Sequence, residues 1–301
     1  MSPTNVETIS QRSTSGEPVP LGNLADVKVV LFDLDGTLHE DPRATDFYAK
    51  ALEEDMPDGT GFGLREEVAE VIQRRHSAAE PGFFVDPNRG IVIEARDWIA
   101  ERAVDWSGET VVLPAGERAD RIPHQGELRY LGDQWQIIGA LAARRGATVQ
   151  SLRSAFVKAR LFVNDPETVL NRFAALDEVL QRLSGGRRLL LATNTSEDLA
   201  RPLVQRLNMR PPFEVIRFDA RKPAGCAELI DHANQRWNTQ ASEVLVIGDN
   251  LWNDLLPPAG RGCRTIHIDP LSTDPTSRWS SARYENFASF ANALQEIPDG
   301  S

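Results

Sequence analysis

The chain reads as an α/β protein: a doubly wound, Rossmann-like parallel sheet carrying one large mixed α+β insertion. Three observations predict this. Four short apolar runs each end on or just before polar residues, amphipathic stretches alternate with them, and the segment from His39 to about Val163 breaks that alternation.

The apolar runs come first, because they decide what can meet what. Val29-Val30-Leu31-Phe32 ends at Asp33, Leu189-Leu190-Leu191-Ala192 at Thr193, and Val244-Leu245-Val246-Ile247 at Gly248-Asp249. Val215-Ile216-Arg217-Phe218 lies just before Lys222. Runs this short and this apolar suit strands buried on both faces of a parallel sheet. Helical spacing fills the gaps: Leu176, Val179, Leu180 and Leu183 share one face, as do Leu199, Leu203, Val204 and Leu207, and Ala227 to Trp237 forms a third helix. Strand–helix alternation places ligands beyond the carboxyl ends of the strands, so every polar residue that ends a run falls on one rim.

What lies on that rim is acidic and phosphate-seeking. Asp33-Leu34-Asp35-Gly36-Thr37 supplies two carboxylates two residues apart, able to act as nucleophile and acid/base if their surroundings separate their pKa values. Gly36 lets the chain leave the strand through a backbone conformation closed to other residues. Thr193-Asn194 offers a hydroxyl and an amide, and Lys222-Pro223 a point charge. Asp249 and Asp254 add hard oxygen ligands of the kind that hold Mg²⁺. Alone, these would read as a turn, a helix cap, a solvated loop and a polar helix entry. Together, and in this order, they point to phosphoryl chemistry, where an anionic ester demands charge neutralisation and placement.

The set resembles the haloacid-dehalogenase superfamily over roughly Val27 to Pro42 and Asp165 to Ile268. The resemblance implies Asp33 as nucleophile, Asp35 as general acid/base, Thr193 and Asn194 with Lys222 at the phosphate, and Asp249 with Asp254 in the acidic motif. It also implies Mg²⁺ held by Asp33, Asp249 and the main-chain carbonyl of Asp35, with Asp254 in the same metal set. Phosphatases and phosphomutases of the superfamily carry the second carboxylate; its dehalogenases lack it. The expected activity is a phosphatase acting through an aspartyl-phosphate on a small phosphorylated metabolite. The alternatives are a phosphomutase or sugar phosphatase of the same superfamily, or a catalytically silent binding protein.

The insertion after the first strand matches a cap domain of that superfamily. Helices are expected over Asp46–Glu54, Leu64–Ala78, Gly132–Arg145 and Thr148–Arg160, and strands over Phe83–Val85, Gly90–Glu94 and Thr110–Leu113. Asp86-Pro87-Asn88-Arg89-Gly90-Ile91-Val92 and Phe218-Asp219-Ala220-Arg221-Lys222-Pro223 are similar to segments of purine-type cytosolic 5'-nucleotidases. That similarity suggests a 5'-nucleotide or nucleoside-like phosphate. Those enzymes usually carry Tyr where this chain has Gly36. Phe84, Arg89 and Trp98 are the insertion's candidates for reading the leaving group.

The expected organisation is a disordered leader over 1–25, a core over 26–42 and 165–301, and a cap over 43–164. With 301 residues there is room for about two domains. A net charge of −11 argues against a nucleic-acid polymer as partner. No spanning or signal segment is evident. Cys226 and Cys263 have neither disulfide nor zinc spacing, so reduced thiols in a cytoplasmic protein are expected. The sequence leaves the oligomeric state open.

Overall fold

The computed structural model describes residues 24–56, 59–96, 99–113, 128–274 and 280–296. In chain order, β1 (Val29–Phe32) is followed by α1 (Pro42–Asp55), α2 (Leu64–Ile72), β2 (Phe84–Asp86) and β3 (Ile91–Arg96). Next come β4 (Ile99–Asp105), β5 (Arg129–Tyr130), α3 (Gln134–Arg144), α4 (Val149–Asn164) and α5 (Leu176–Ser184). The chain continues through β6 (Arg188–Ala192), α6 (Glu197–Leu207), β7 (Val215–Arg217), α7 (Cys226–Trp237) and β8 (Val244–Gly248). It ends with α8 (Leu256–Gly260), β9 (Arg264–Ile268), β10 (Ala282–Tyr284) and α9 (Phe287–Gln295).

Two compact units emerge. One comprises residues 1–40, 171–270 and 274–301; the other comprises 41–170 with the short return Leu271–Thr273. The sequence suggests changeovers at 42/43 and 164/165 and gives no sign of the return. Of the leader expected over 1–25, Leu24 and Ala25 are described. Leu24 is buried and its carbonyl accepts from Arg187.

The first unit is built on a parallel sheet of order β10-β9-β8-β1-β6-β7. All four residues of β1 and all five of β8 are buried, as a strand with neighbours on both sides and helices on both faces requires. Helix α5 shows how the flanking layer is made. Leu176, Val179, Leu180 and Leu183 form its buried stripe, each contributing about 1.5–3 kcal/mol of burial. The register matters most for function. Phe32 pairs with both Leu191 and Ile247, so β1, β6 and β8 end at nearly one level.

The second unit has a four-stranded antiparallel sheet, β4-β3-β2-β5, and helices α1 to α4. Its core includes Tyr48, Leu52, Leu64, Val85, Leu131 and Ile137. Asp41, Asp133 and Thr148 cap α1, α3 and α4 by accepting from main-chain N–H groups of the first turn. At the centre of a polar cluster, Glu67 meets His76, Arg144 and Arg145 at 3.2, 2.5 and 2.6 Å. The return Leu271–Thr273 is held by Arg74, whose guanidinium donates to the carbonyls of Leu271 and Ser272 at 3.1 and 2.7 Å.

Three expectations for this unit change. Helix α2 stops at Ile72 rather than Ala78, because Arg74 takes a left-handed φ of 55° and the chain turns back. Thr110–Leu113 is not a strand. Thr110 makes a single bridge to Val104, and Val112 is 91% exposed, with no further strand to extend the sheet among the described residues. Strand β4 was not anticipated, since Ile99-Ala100-Glu101-Arg102-Ala103-Val104-Asp105 has few β-branched residues, yet it pairs with β3 along its length. No helix among the described residues is long and apolar enough to cross a membrane.

Candidate active site

The site starts from the strand ends. Asp33 extends the ladder by one residue, its N–H donating to Ile247 O at 3.0 Å, and Thr193 does the same towards Arg217 O at 2.9 Å. These bonds fix both backbones where β1 and β6 stop. Beyond Asp33 the chain makes a tight loop, with Leu38 and His39 N–H on Leu34 O and Gly36 N–H on His39 O.

Gly36 is required twice over. Its φ is +84°, and a Cβ built there would lie 2.0 Å from Asp249 Oδ2. The left-handed backbone is legible in the sequence; the close approach of Asp249 is not. Any side chain at this position would occupy the space of the Asp249 carboxylate.

Lys222 arrives on a constrained turn. Asp219 and Arg221 both have left-handed φ values, 48° and 54°. A Cβ on Gly225 would lie 1.9 Å from Ala220 O, so only glycine closes the turn. Asn194 clamps Lys222 from the other side, its Oδ1 accepting from Lys222 N at 2.7 Å and its Nδ2 donating to Lys222 O at 2.9 Å. Sequence reading placed Asn194 at the phosphate. Its amide is committed at both ends to the Lys222 main chain, so its geometry is that of a positioning residue.

The result is a buried charge cluster. Lys222 Nζ lies 2.5 Å from Asp33 Oδ1 and 2.6 Å from Asp254 Oδ1. Oxygens of Asp33, Asp249 and Asp254 all lie within 4.8 Å of one another. Asp254 is held by Asn250, whose N–H donates to its Oδ2 at 3.1 Å, within a wide π-helical turn over Leu251–Leu255. Burial is the largest influence on Asp33, pushing its carboxyl up to about 7; Lys222 pulls it down, while Asp254 and Asp35 push it up again. Burial opposes the Lys222 ammonium as well, but Asp254 and Asp33 outweigh it and hold its proton more tightly than in free lysine. One ammonium among this many carboxylates leaves positive charge in short supply, and an all-oxygen donor set of this kind fits a hard divalent cation.

Asp35 stands apart from the cluster. Thr195 Oγ1 donates to its Oδ2 at 3.3 Å, and Thr195 N donates in turn to Thr193 Oγ1 at 3.1 Å. That last bond uses a lone pair of the Thr193 hydroxyl and leaves its O–H able to donate to a ligand. Thr195 and Asn250 are not among the residues singled out from the sequence. The signal for Thr195 was available in retrospect, as a second hydroxyl two residues past Thr193.

The candidates from the insertion belong to the second unit. Phe84 is 2% exposed, with its ring centroid 5.1 Å from that of Tyr130 across the β2–β5 pair, so it is packed inside rather than presented to a ligand. Arg89 lies beside Asp86, Nε to Oδ2 at 3.4 Å, on a turn whose Asn88 and Arg89 N–H groups also bond Asp86 Oδ1. Trp98 lies outside the described residues. Cys226 and Cys263 are buried free thiols, both pushed up to about 12 by burial above all.

A doubly wound parallel sheet with two carboxylates after its first strand, and hydroxyl, ammonium and further carboxylates on the same rim, defines a hydrolytic α/β core. A model of the haloacid dehalogenase-like hydrolases matches residues 27–259. The chain belongs to that family. Among solved structures, it is similar to the magnesium-bound HAD-hydrolase YfnB from Bacillus subtilis, at 14% identity and a TM-score of 0.49 over 89% of this chain and 99% of that one. It is also similar to the L-2-haloacid dehalogenase from Xanthobacter autotrophicus, at 15% identity and a TM-score of 0.47 over 90% of this chain and 100% of that one. No curated protein matches.

Proposed function

We propose that the protein is a Mg²⁺-dependent phosphomonoesterase that passes the phosphoryl group through Asp33. The observation that carries this reading is Asp35, two residues beyond the candidate nucleophile and accepting a hydrogen bond from Thr195. Breaking a phosphate ester expels an alkoxide, which needs a proton; displacing halide from carbon expels an anion that needs none. A second carboxyl group beside the nucleophile therefore favours phosphoryl transfer over dehalogenation.

In this reading an Asp33 oxygen attacks phosphorus. The P–O bond to the leaving alcohol breaks, and Asp35 gives that oxygen its proton. Asp35, now ionised, takes a proton from water as the water oxygen attacks the aspartyl-phosphate, and Asp33 leaves as a carboxylate. Lys222 and the Thr193 hydroxyl meet the phosphoryl oxygens, while Asn194 keeps the Lys222 backbone in place. Mg²⁺ would be held by Asp33, Asp249 and the Asp35 carbonyl, with Asp254 beside them; when bound, it offsets the repulsion between phosphate and carboxylates.

The substrate we favour is a small phosphorylated metabolite, with a 5'-nucleotide or nucleoside-like phosphate leading because of the two nucleotidase-like stretches. Two buried free thiols suit a reducing, cytoplasmic setting. The test is phosphate release from panels of nucleotides, sugar phosphates and amino-acid phosphates, with and without Mg²⁺, beside halide release from L-2-haloacids. Metal-dependent phosphate release is expected. Halide release without any phosphate release overturns the proposal.

A further inference from the structure

Strand β9 presents an anomaly in the first unit. Ile266 and Ile268 face one side, while the alternate residues Thr265, His267 and Asp269 are polar and at most 1% exposed. Burying polar groups is costly unless they are bonded, so what each of them bonds to is informative. His267 pairs in the ladder with Gly248, the last residue of β8. From there its Nε2 reaches the main-chain carbonyl of Asp249 at 2.9 Å. A carbonyl can only accept, so Nε2 carries the proton. His267 Nδ1 has no hydrogen-bond partner and lies 3.8 Å from Asp269 Oδ2. Asp269 is itself fixed, accepting from Arg283 Nε at 2.7 Å and from Asp274 N at 3.0 Å.

We propose that His267 is a positioning residue for the metal site, holding the Asp249 backbone so that its carboxylate faces Asp33 and Asp254. This rests on the Mg²⁺ site of the reading above. Two restraints act on Asp249 from opposite ends. Gly36 leaves room for its carboxylate, and His267 ties its carbonyl to a buried strand. Neither alone fixes both the main chain and the side chain, and ligand placement of this kind governs affinity.

The experiment compares His267→Gln, which keeps an N–H donor, with His267→Met, of similar bulk but without one. Calorimetric titration of the full chain with Mg²⁺, in the absence of substrate, should show about 10–100-fold weaker binding in His267→Met. His267→Gln should stay within about threefold of wild type, and kcat at saturating Mg²⁺ should change less than the affinity does. Equal Mg²⁺ affinity in wild type and a folded His267→Met overturns the proposal. A readout that needs no folded Met variant is the imidazole N–H resonance of wild-type protein, identified by its loss in His267→Gln. It should shift on Mg²⁺ addition, and a resonance unmoved at saturation overturns the assignment. A wild type that binds no Mg²⁺ refutes the proposed function and this inference together. A wild type that binds Mg²⁺ and releases phosphate, alongside an unaffected Met variant, refutes this inference alone.

Discussion

Gly36→Ala offers the sharpest test of the site's geometry, because a single methyl group probes two motifs at once. The added Cβ would lie 2.0 Å from Asp249 Oδ2 and 2.4 Å from its Cγ, where ordinary contact begins at 3.4 Å. Either the 34–39 loop or the Asp249 carboxylate must retreat by more than an ångström. The backbone adds its own cost, since φ of +84° is unfavourable for alanine by about 1–2 kcal/mol. For a domain of this size that corresponds to a fall in Tm of about 2–8 °C. Catalysis should suffer far more than stability, because a displacement of about 1 Å in a reacting group can cost about 10²-fold. The assay is kcat/KM for the best phosphate ester as a function of Mg²⁺ concentration, beside a thermal melt. We expect a folded variant with activity down about 10²-fold or more and a raised Mg²⁺ requirement. A folded Gly36→Ala with near wild-type activity would show that Asp249 does not pack against the first motif during turnover.

Other perturbations separate the remaining roles. Asp33→Asn should reduce turnover to near background without unfolding, and phosphoryl label trapped by acid quench should be found on Asp33 in the wild type; label on another residue refutes the nucleophile assignment. Asp35→Asn should lower kcat by about 10²–10⁴-fold, and unchanged turnover would remove Asp35 from the mechanism. Glu67→Gln addresses stability rather than chemistry. Burial pushes the Glu67 carboxyl up, but His76, Arg145 and Arg144 outweigh it and hold it at about 2, a depression that solvent screening leaves worth about 1–3 kcal/mol at neutral pH. Because the folded value is depressed, that stability is present above about pH 4.5 and lost as pH falls towards 2. The gap in denaturation free energy between wild type and Glu67→Gln should therefore shrink with acid, and a gap independent of pH refutes the account. Arg89→Ala should lower kcat/KM for the preferred substrate more than for a small aryl phosphate, measured side by side; equal losses would argue against a role for Arg89 in substrate selection.

The core of this fold was legible where burial leaves a simple mark. Strands β1, β6 and β8 are continuous apolar runs because they are covered on both faces, and their polar terminators stand out against that background. Strand β4 left no such mark: of its described side chains only Ala103 and Val104 are buried, and it is held largely by pairing with β3. The same divide runs through the site. Asp33, Asp35, Lys222 and Asp249 are read from local patterns. Asn194 is also read from its place beside Thr193, but its bond to the Lys222 main chain, like the contact of Thr195 with Asp35, is one that only the fold creates. Phe84 shows the converse error. An aromatic in a small insertion was offered as a ligand contact, yet it packs against Tyr130.

The charge balance of the site carries the functional argument further than any single residue. Asp33, Asp249 and Asp254 converge on a site where Lys222 is the positive charge in contact with Asp33 and Asp254. Left so, the cluster would repel a dianionic phosphate, and the strained turn that aims Lys222 inward would serve only to neutralise aspartates. A haloacid carries one carboxylate and its leaving group departs as halide, so it calls for neither extra acidic ligands nor a proton donor for that group. A phosphomonoester calls for both, provided that a divalent cation completes the balance. On this reasoning the acidic excess is not a liability that Lys222 corrects. In the proposed reading it is the means of recruiting a cation, whose charge would then make the same site attractive to phosphate.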